Sequence, residues 1–401
     1  MNMPETEQLI LLTDVMQDKA LSAFADAMCH DDLKSYAQAL ELLLEEDMQN
    51  SLAAYMTDKI LHCDNLFARR CFAGTATADI RRAYAHDLHI LQQLAECAAQ
   101  PPEKIAKAIS QGFPALSRGE DNGILGAHWD DEKTLDKLSQ FHARNGYGIF
   151  IGNKAFTFEN GRLKPVRNTS SVSLSDLKDY ETEKKAVVDN TVSFLRGLPC
   201  SNMLLYGDKG TGKSSTIHAV LNRYAEEGLR AVEIPKDRIK EIDAVKEVLA
   251  GLPFKFFLFI DDLSLEERDD KVTSLKASLE GSLSEKGDNV MIVATSNRRH
   301  ILKENFSDRE NSVHARDTME EQLSLSDRFG LTVCFSSTGK AEYLSIVRQL
   351  ADDKKLKTDE EELFALAERW ALIKGGRSPR RAKQFIDFVY ACTAKNIPID
   401  F

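Results

Sequence analysis

The chain has 401 residues, enough for two or three domains and for more than one hydrophobic core. Hydrophobic residues make up 43% of it and charged residues 29%, and no run reaches the roughly 18–20 apolar residues of a membrane span, so the composition points away from a membrane-spanning chain. The formal net charge of −11 argues against a general nucleic-acid coat, although a local basic patch survives it.

Residues 1–12 carry acidic side chains and no positive segment ahead of an apolar one, so they do not read as a secretory signal. The seven cysteines are scattered, with no C-x-x-C pair, which fits reduced thiols in a cytoplasmic setting. Residues 1–113 read as helical throughout. Leu21, Phe24, Met28, Leu33, Tyr36, Leu40 and Leu43 recur at near-helical spacing, and Ile80, Tyr84, Leu88, Leu91 and Leu94 repeat the pattern. His86 and His89 lie three apart on a helix face. With no further ligand at matching spacing they read as surface or core histidines, not as a metal site. The expectation for residues 1–128 is an all-α accessory domain that contacts a partner or a neighbouring subunit.

Residues 130–145 read as one more helix. Residues 147–151 and 154–159 then alternate like strands, and Asn160-Gly161 signals a tight turn before residues 162–166. A small β-hairpin is expected here. Residues 168–175 are serine-rich and read as a linker, which puts the main domain boundary there, with residues 129–175 forming a helix, hairpin and linker.

A doubly wound α/β domain is expected over residues 176–336. Residues 177–195 read as a helix. Strands are expected at 203–206, 229–234, 254–260, 290–294 and 331–335, with helices from the glycine-rich turn to about 225, at 242–249 and at 274–283. Residues 254–260 are wholly apolar, as the centre of a parallel sheet covered on both faces requires. In such a sheet the ligand lies outside the carboxyl ends of the strands, where Gly207, Asp261 and Asn297 all fall. Residues 337–401 read as a helical lid. Thr358 with Glu361 has the form of a capping box, and Ser378 with Pro379 marks another helix start.

The chemistry begins at Gly207, Asp208, Lys209, Gly210, Thr211, Gly212, Lys213, Ser214 and Ser215. Gly207, Gly210, Gly212, Lys213 and Ser214 fill the fixed places of the phosphate-binding pattern G-x-x-x-x-G-K-[ST]. Glycines let successive N–H groups turn inward around a phosphate, and the following helix adds its positive N-terminal end. Lys213 can reach the β- and γ-phosphates, and the Ser214 hydroxyl can ligate Mg²⁺. Asp261, at the end of an apolar strand, can hold the same ion. Asp262 can orient or deprotonate an attacking water, and Asn297 can bond the γ-phosphate or that water. Arg328 and Arg380 can stabilise charge on a transferring phosphoryl group, and an arginine supplied in trans would make hydrolysis depend on assembly. Arg309 is a second candidate for that part. Tyr180, within the first expected helix of this domain, is placed among the nucleotide-contacting residues. The basic clusters Arg298-Arg299-His300 and Arg377, Arg380, Arg381 and Lys383 read as solvated charge or phosphate-site lining, ahead of a nucleic-acid surface.

Taken together, the order of motifs over residues 177–389 resembles an AAA+ ATPase. The resemblance implies Walker A at residues 207–214, Walker B at 257–262, sensor 1 at Asn297, an arginine finger at Arg328 and sensor 2 at Arg380. The wording of residues 206–215, Asp261-Asp262-Leu263-Ser264, residues 294–300, 306–311 and 325–330 is similar to a bacterial ATP-binding family catalogued as domain of unknown function 815. The acid pair departs from the general pattern, being Asp-Asp where Asp-Glu is usual. Asp262 therefore reaches about 1.5 Å less far than glutamate, a difference of one bond length. A misplacement of about 1 Å can cost on the order of 100-fold in rate, so slow hydrolysis or a nucleotide switch is an expectation alongside fast turnover. Glu266 or Glu267 could supply the missing reach. The expected protein binds ATP and Mg²⁺, forms a homo-oligomer in the cytoplasm and acts on a protein partner. A nucleic-acid loader and a P-loop kinase are the alternatives.

Overall fold

A computed structural model describes residues 5–121, 123–263, 265–266, 270–280, 289–297, 302–303 and 327–399. Two compact units divide the chain, residues 1–153 and 154–401.

The first unit is helical. Its helices are α1 (Lys19–His30), α2 (Leu33–Glu45), α3 (Leu52–His62), α4 (Leu66–Phe72), α5 (Ala78–Glu96), α6 (Glu103–Ser110) and α7 (Glu132–Asn145). The near-helical repeat over residues 20–46 is two helices. Asp31 turns left-handed at φ +49°, and Asp32 caps α2 by accepting the Lys34 and Ser35 N–H groups. The Asp31 carboxylate in turn accepts the N–H groups of Lys104 and Ile105 at the start of α6. Buried Asp87 accepts from the N–H groups of Ile10, Leu11 and Leu12, which ties the N-terminal segment to α5. The histidine pair of α5 is engaged locally. His86 Nδ1 lies 3.2 Å from Asp87, and His89 Nδ1 lies 2.9 Å from Asp130. Leu21, Phe24, Met28, Tyr84, Leu88 and Leu91 belong to one core, as their spacing requires.

The expected strand at 147–151 is instead a one-turn 3-10 helix, Gly148–Phe150. Gly146 and Gly148 have φ of +86° and +51°, which breaks extended backbone, and Tyr147 and Phe150 bury their rings 5.5 Å apart.

The second unit holds a seven-stranded sheet ordered β2-β1-β4-β5-β7-β3-β9. Its strands are β1 (Ala155–Glu159), β2 (Arg162–Pro165), β3 (Met203–Gly207), β4 (Leu229–Glu233), β5 (Lys255–Ile260), β7 (Val290–Ser296) and β9 (Leu331–Phe335). Two short strands, β6 (Leu265–Glu266) and β8 (Leu302–Lys303), pair separately. Among the described residues only the β1–β2 pair of this sheet is antiparallel. The helices are α8 (Glu181–Leu195), α9 (Lys213–Tyr224), α10 (Ile242–Leu249) and α11 (Asp270–Glu280). The hairpin corrects the expected division. It is not a separate element ahead of the sheet, because Ala155–Thr157 pair in parallel with Ala231–Glu233 of β4. The unit boundary therefore falls before residue 154 and not in the serine-rich segment.

Three helices close the chain, α12 (Lys340–Asp353), α13 (Glu360–Ile373) and α14 (Pro379–Lys395). They share a core of Tyr343, Ile346, Trp370, Phe385 and Val389. Asp359, not Thr358, caps α13, accepting the Glu362 N–H. Ser378 caps α14 with Pro379 in the first turn, as its sequence indicates.

Candidate nucleotide site

The phosphate loop follows from the way β3 ends. Gly207 has φ +134°, and a Cβ there would lie 1.9 Å from the Phe335 carbonyl oxygen on β9. Glycine is thus required by both conformation and close approach. Gly210 (φ +88°) and Gly212 (φ +100°) complete a turn that delivers Lys213 and Ser214 to the first turn of α9. Residues 208–212 separate strand from helix and contribute a run of N–H groups at a helix N-terminus.

Lys213 is 6% exposed, and its ammonium donates to the Gly207 and Asp208 carbonyls at 2.8 and 2.7 Å. Burial lowers its pKa, while the carboxylates of Asp208, Asp261 and Asp262 oppose that shift. Its ammonium also lies 3.2 Å from Asn297 Oδ1. Asn297 in turn donates from Nδ2 to Asp262 Oδ1 at 2.6 Å. Ser214 Oγ donates to Asp261 Oδ1 at 2.6 Å. Five expected residues from three separate stretches therefore converge: Lys213 and Ser214 on α9, Asp261 and Asp262 after β5, and Asn297 after β7.

Thr295 is a member of this cluster that the sequence reading left without a role. Its hydroxyl donates to Asp261 Oδ1 at 2.5 Å and accepts the Asp262 N–H at 3.0 Å. It thereby holds the turn in which Asp262 takes φ +51°. A hydroxyl residue two places before Asn297, at the end of a neighbouring parallel strand, is the signal that could have found it. Lys236, after β4, is also beside the acid, 3.7 Å from Asp262 Oδ2.

The cavity here has a volume of about 440 Å³. Its lining includes the cations Lys209, Lys213, Arg380 and Lys383, the acids Asp261 and Asp262, and the apolar side chains Val172, Leu177, Ile346 and Leu350. Tyr180 lines it too. Its hydroxyl donates to the Ser336 carbonyl at 2.7 Å and its ring lies 5.2 Å from Phe335, so its contribution is apolar ring surface. The lid meets the loop directly. The Arg380 N–H donates to the Gly210 carbonyl at 3.2 Å, and a Cβ on Gly210 would sit 3.0 Å from Ser378 Oγ.

Arg328 stands just before β9, is half-buried and is not part of the cavity lining. Arg377 is committed to Glu368, at 2.9 and 2.6 Å, which makes it structural. Arg309, Glu267 and the cluster 298–300 lie outside the described residues, and Glu266 falls on β6.

The donor set fits both expected ligands. The glycine turn, the buried Lys213 ammonium and the cationic lining residues suit a polyphosphate, and the apolar lining residues suit a planar base. The Ser214 hydroxyl and Asp261 carboxylate are hard oxygen donors of the kind Mg²⁺ takes, held side by side by their own hydrogen bond.

Comparison with known proteins places the second unit. The family model described as protein of unknown function (DUF815) matches residues 152–393, more than half of the chain. Among solved structures, a mutant of Thermotoga maritima RuvB is 17% identical with a TM-score of 0.40, over 56% of this chain and 66% of that one. The Thermotoga maritima RuvB Holliday junction branch migration motor has the same identity and coverage and a TM-score of 0.38. The FIGL-1 AAA domain in complex with ADP is 19% identical, with a TM-score of 0.39 over 57% of this chain and 76% of that one. The chain thus spans just under two thirds of the RuvB chains. No curated protein matches it.

Proposed function

Because the chain belongs to DUF815, a family whose description assigns no reaction, we propose its chemistry from the site: it is an AAA+ protein that binds Mg-ATP and hydrolyses it. One observation carries the reading. Under a single glycine turn, Ser214 meets Asp261 at 2.6 Å while Lys213 and Asp262 are joined through Asn297 at 3.2 and 2.6 Å.

Lys213 and the loop N–H groups bind and orient the phosphates. Ser214 and Asp261 would hold Mg²⁺, which when bound neutralises charge on the β- and γ-oxygens. Asp262 orients a water and accepts its proton as oxygen adds to the γ-phosphorus. The bond from that phosphorus to the β–γ bridging oxygen breaks, and ADP leaves with the electron pair. Asn297 aims Asp262 and senses the lysine that holds the phosphates. The αL turn at Asp262 and its two side-chain partners offset the missing methylene by fixing the short carboxylate in one direction. Turnover at the slow end of the ATPase range is expected, because reach is still lost.

Arg328 completes the site of a neighbouring copy, so the active form is a homo-oligomer. Its place outside its own chain's cavity lining supports this reading. Arg380, held to the loop through its own N–H, couples the state of the nucleotide to the lid. The cycle serves to remodel or switch a protein partner in the cytoplasm.

The direct test is phosphate release from Mg-ATP with no acceptor present, alongside equilibrium binding of a fluorescent ATP analogue. Wild type should bind and hydrolyse, and Lys213→Ala should lose at least about 100-fold in affinity, since it deletes a buried charge paired with phosphate. Unchanged binding by Lys213→Ala would refute the site.

A further inference from the structure

The formal charge is spread unevenly along the chain. Residues 1–47 contain eleven acidic and two basic side chains, a formal charge of −9 out of −11 for the whole sequence. This acidic stretch contains α2 and one wall of a groove of about 620 Å³ in the helical unit.

We propose that this groove is the docking site for a basic amphipathic helix of a partner protein. Its floor is apolar, formed by Leu40, Leu44, Phe113 and Pro114. Leu44 is 48% exposed, and Leu33, three turns earlier on the same helix, is 37% exposed. These two leave an apolar stripe uncovered along α2, which is about 20 Å long. The opposite wall is anchored. The Tyr36 hydroxyl accepts the Leu116 N–H at 2.7 Å, and its ring lies 6.1 Å from that of Phe113.

Glu41 and Glu45 form the rim, and Glu46 and Asp47 continue it. Among the described residues none of these four carboxylates makes an ion pair, and all are exposed. An apolar stripe with an acidic border fits a helix with leucine-like anchors at i, i+3/i+4 and i+7 and a lysine- or arginine-rich flank. The rim disfavours the competitors, because nucleic acid, anionic membrane and acidic helices are all repelled by the exposed carboxylates of Glu41, Glu45, Glu46 and Asp47. The nucleotide site plays no part in this docking.

The test uses the full chain and a fluorescein-labelled peptide of about 14 residues, three to four helical turns, carrying leucines at those anchor positions and lysines elsewhere. A second peptide keeps the leucines and replaces each lysine with glutamate. Anisotropy titrations should show the basic peptide binding at least about tenfold tighter than the acidic one, with the gap narrowing as salt rises. Leu44→Arg, and separately Glu41→Gln with Glu45→Gln, should each weaken the basic peptide by at least about fivefold. Both sets lie on the surface, and unchanged circular-dichroism melting verifies their fold. Hydrogen exchange should slow over residues 33–45 when the peptide is bound. Lys213→Ala should bind it as wild type does. Equal binding of the two peptides, unchanged binding by both variants, protection elsewhere, or self-association abolished by Leu44→Arg would overturn the proposal.

Discussion

Asn297 donates its amide N–H to Asp262 Oδ1 at 2.6 Å, while its own carbonyl oxygen lies 3.2 Å from the Lys213 ammonium. One short side chain therefore links the residue proposed to grip phosphate to the residue assigned the attacking water. Changes at either end should show themselves separately in binding and in turnover.

Asp262→Asn keeps the size of the side chain and removes its capacity to take a proton. Hydrolysis should fall by about 10²–10⁴-fold, the range for losing a general base, with the affinity for Mg-ATP within about threefold of wild type. Single-turnover kinetics and equilibrium binding separate the two. A rate within about fivefold of wild type would remove Asp262 from the role.

Gly207→Ala tests the backbone. A Cβ would meet the Phe335 carbonyl oxygen at 1.9 Å in a residue at φ +134°. Overpacking and left-handed strain together cost on the order of 3 kcal/mol. For a unit of this size the melting temperature should drop by roughly 10 °C, and nucleotide binding should fall with it. A melt that coincides with wild type would contradict the strand approach described.

The helical unit should be acid-sensitive through His142. Burial pushes its pKa down from 6.5 to about 4. The folded state then binds the proton less readily than the unfolded state, so this residue's contribution is intact above pH 6.5. It is lost progressively as pH falls toward 4 and amounts to on the order of 3 kcal/mol. Urea midpoints measured for wild type and His142→Gln between pH 7 and 4.5 check this. The fall should be steeper in wild type, and parallel slopes would count against the assignment.

Much of the site was legible because its determinants are local. Glycine spacing, the apolar run Phe256–Ile260 and the two aspartates after it lie within short windows. The fold of the lid start was equally readable, since Ser378 and Pro379 act on the helix they begin. Long-range effects were not. The hairpin joins the sheet through β4, more than 70 residues on, and no pattern within residues 155–165 announces that partner. Thr295 acts across to Asp261 and Asp262, and only the parallel register of β5 and β7 brings it there. Residues 147–151 alternate like a strand, yet two glycines with positive φ decide otherwise. Asp31 and Asp32 look like surface acids and in fact divide two helices and cap a third.

The central claim is that hydrolysis needs two chains, one offering Lys213 and Asp262 and the next offering Arg328. Arg328→Ala and Asp262→Asn proteins should each bind Mg-ATP and each be nearly inactive alone. Mixed in equal amounts under conditions where native mass shows assembly, they should recover about a quarter of wild-type activity, the share of sites at which an intact pocket meets an intact arginine. A mixture no more active than its separate components, or an Arg328→Ala protein that hydrolyses ATP like wild type, would contradict the account.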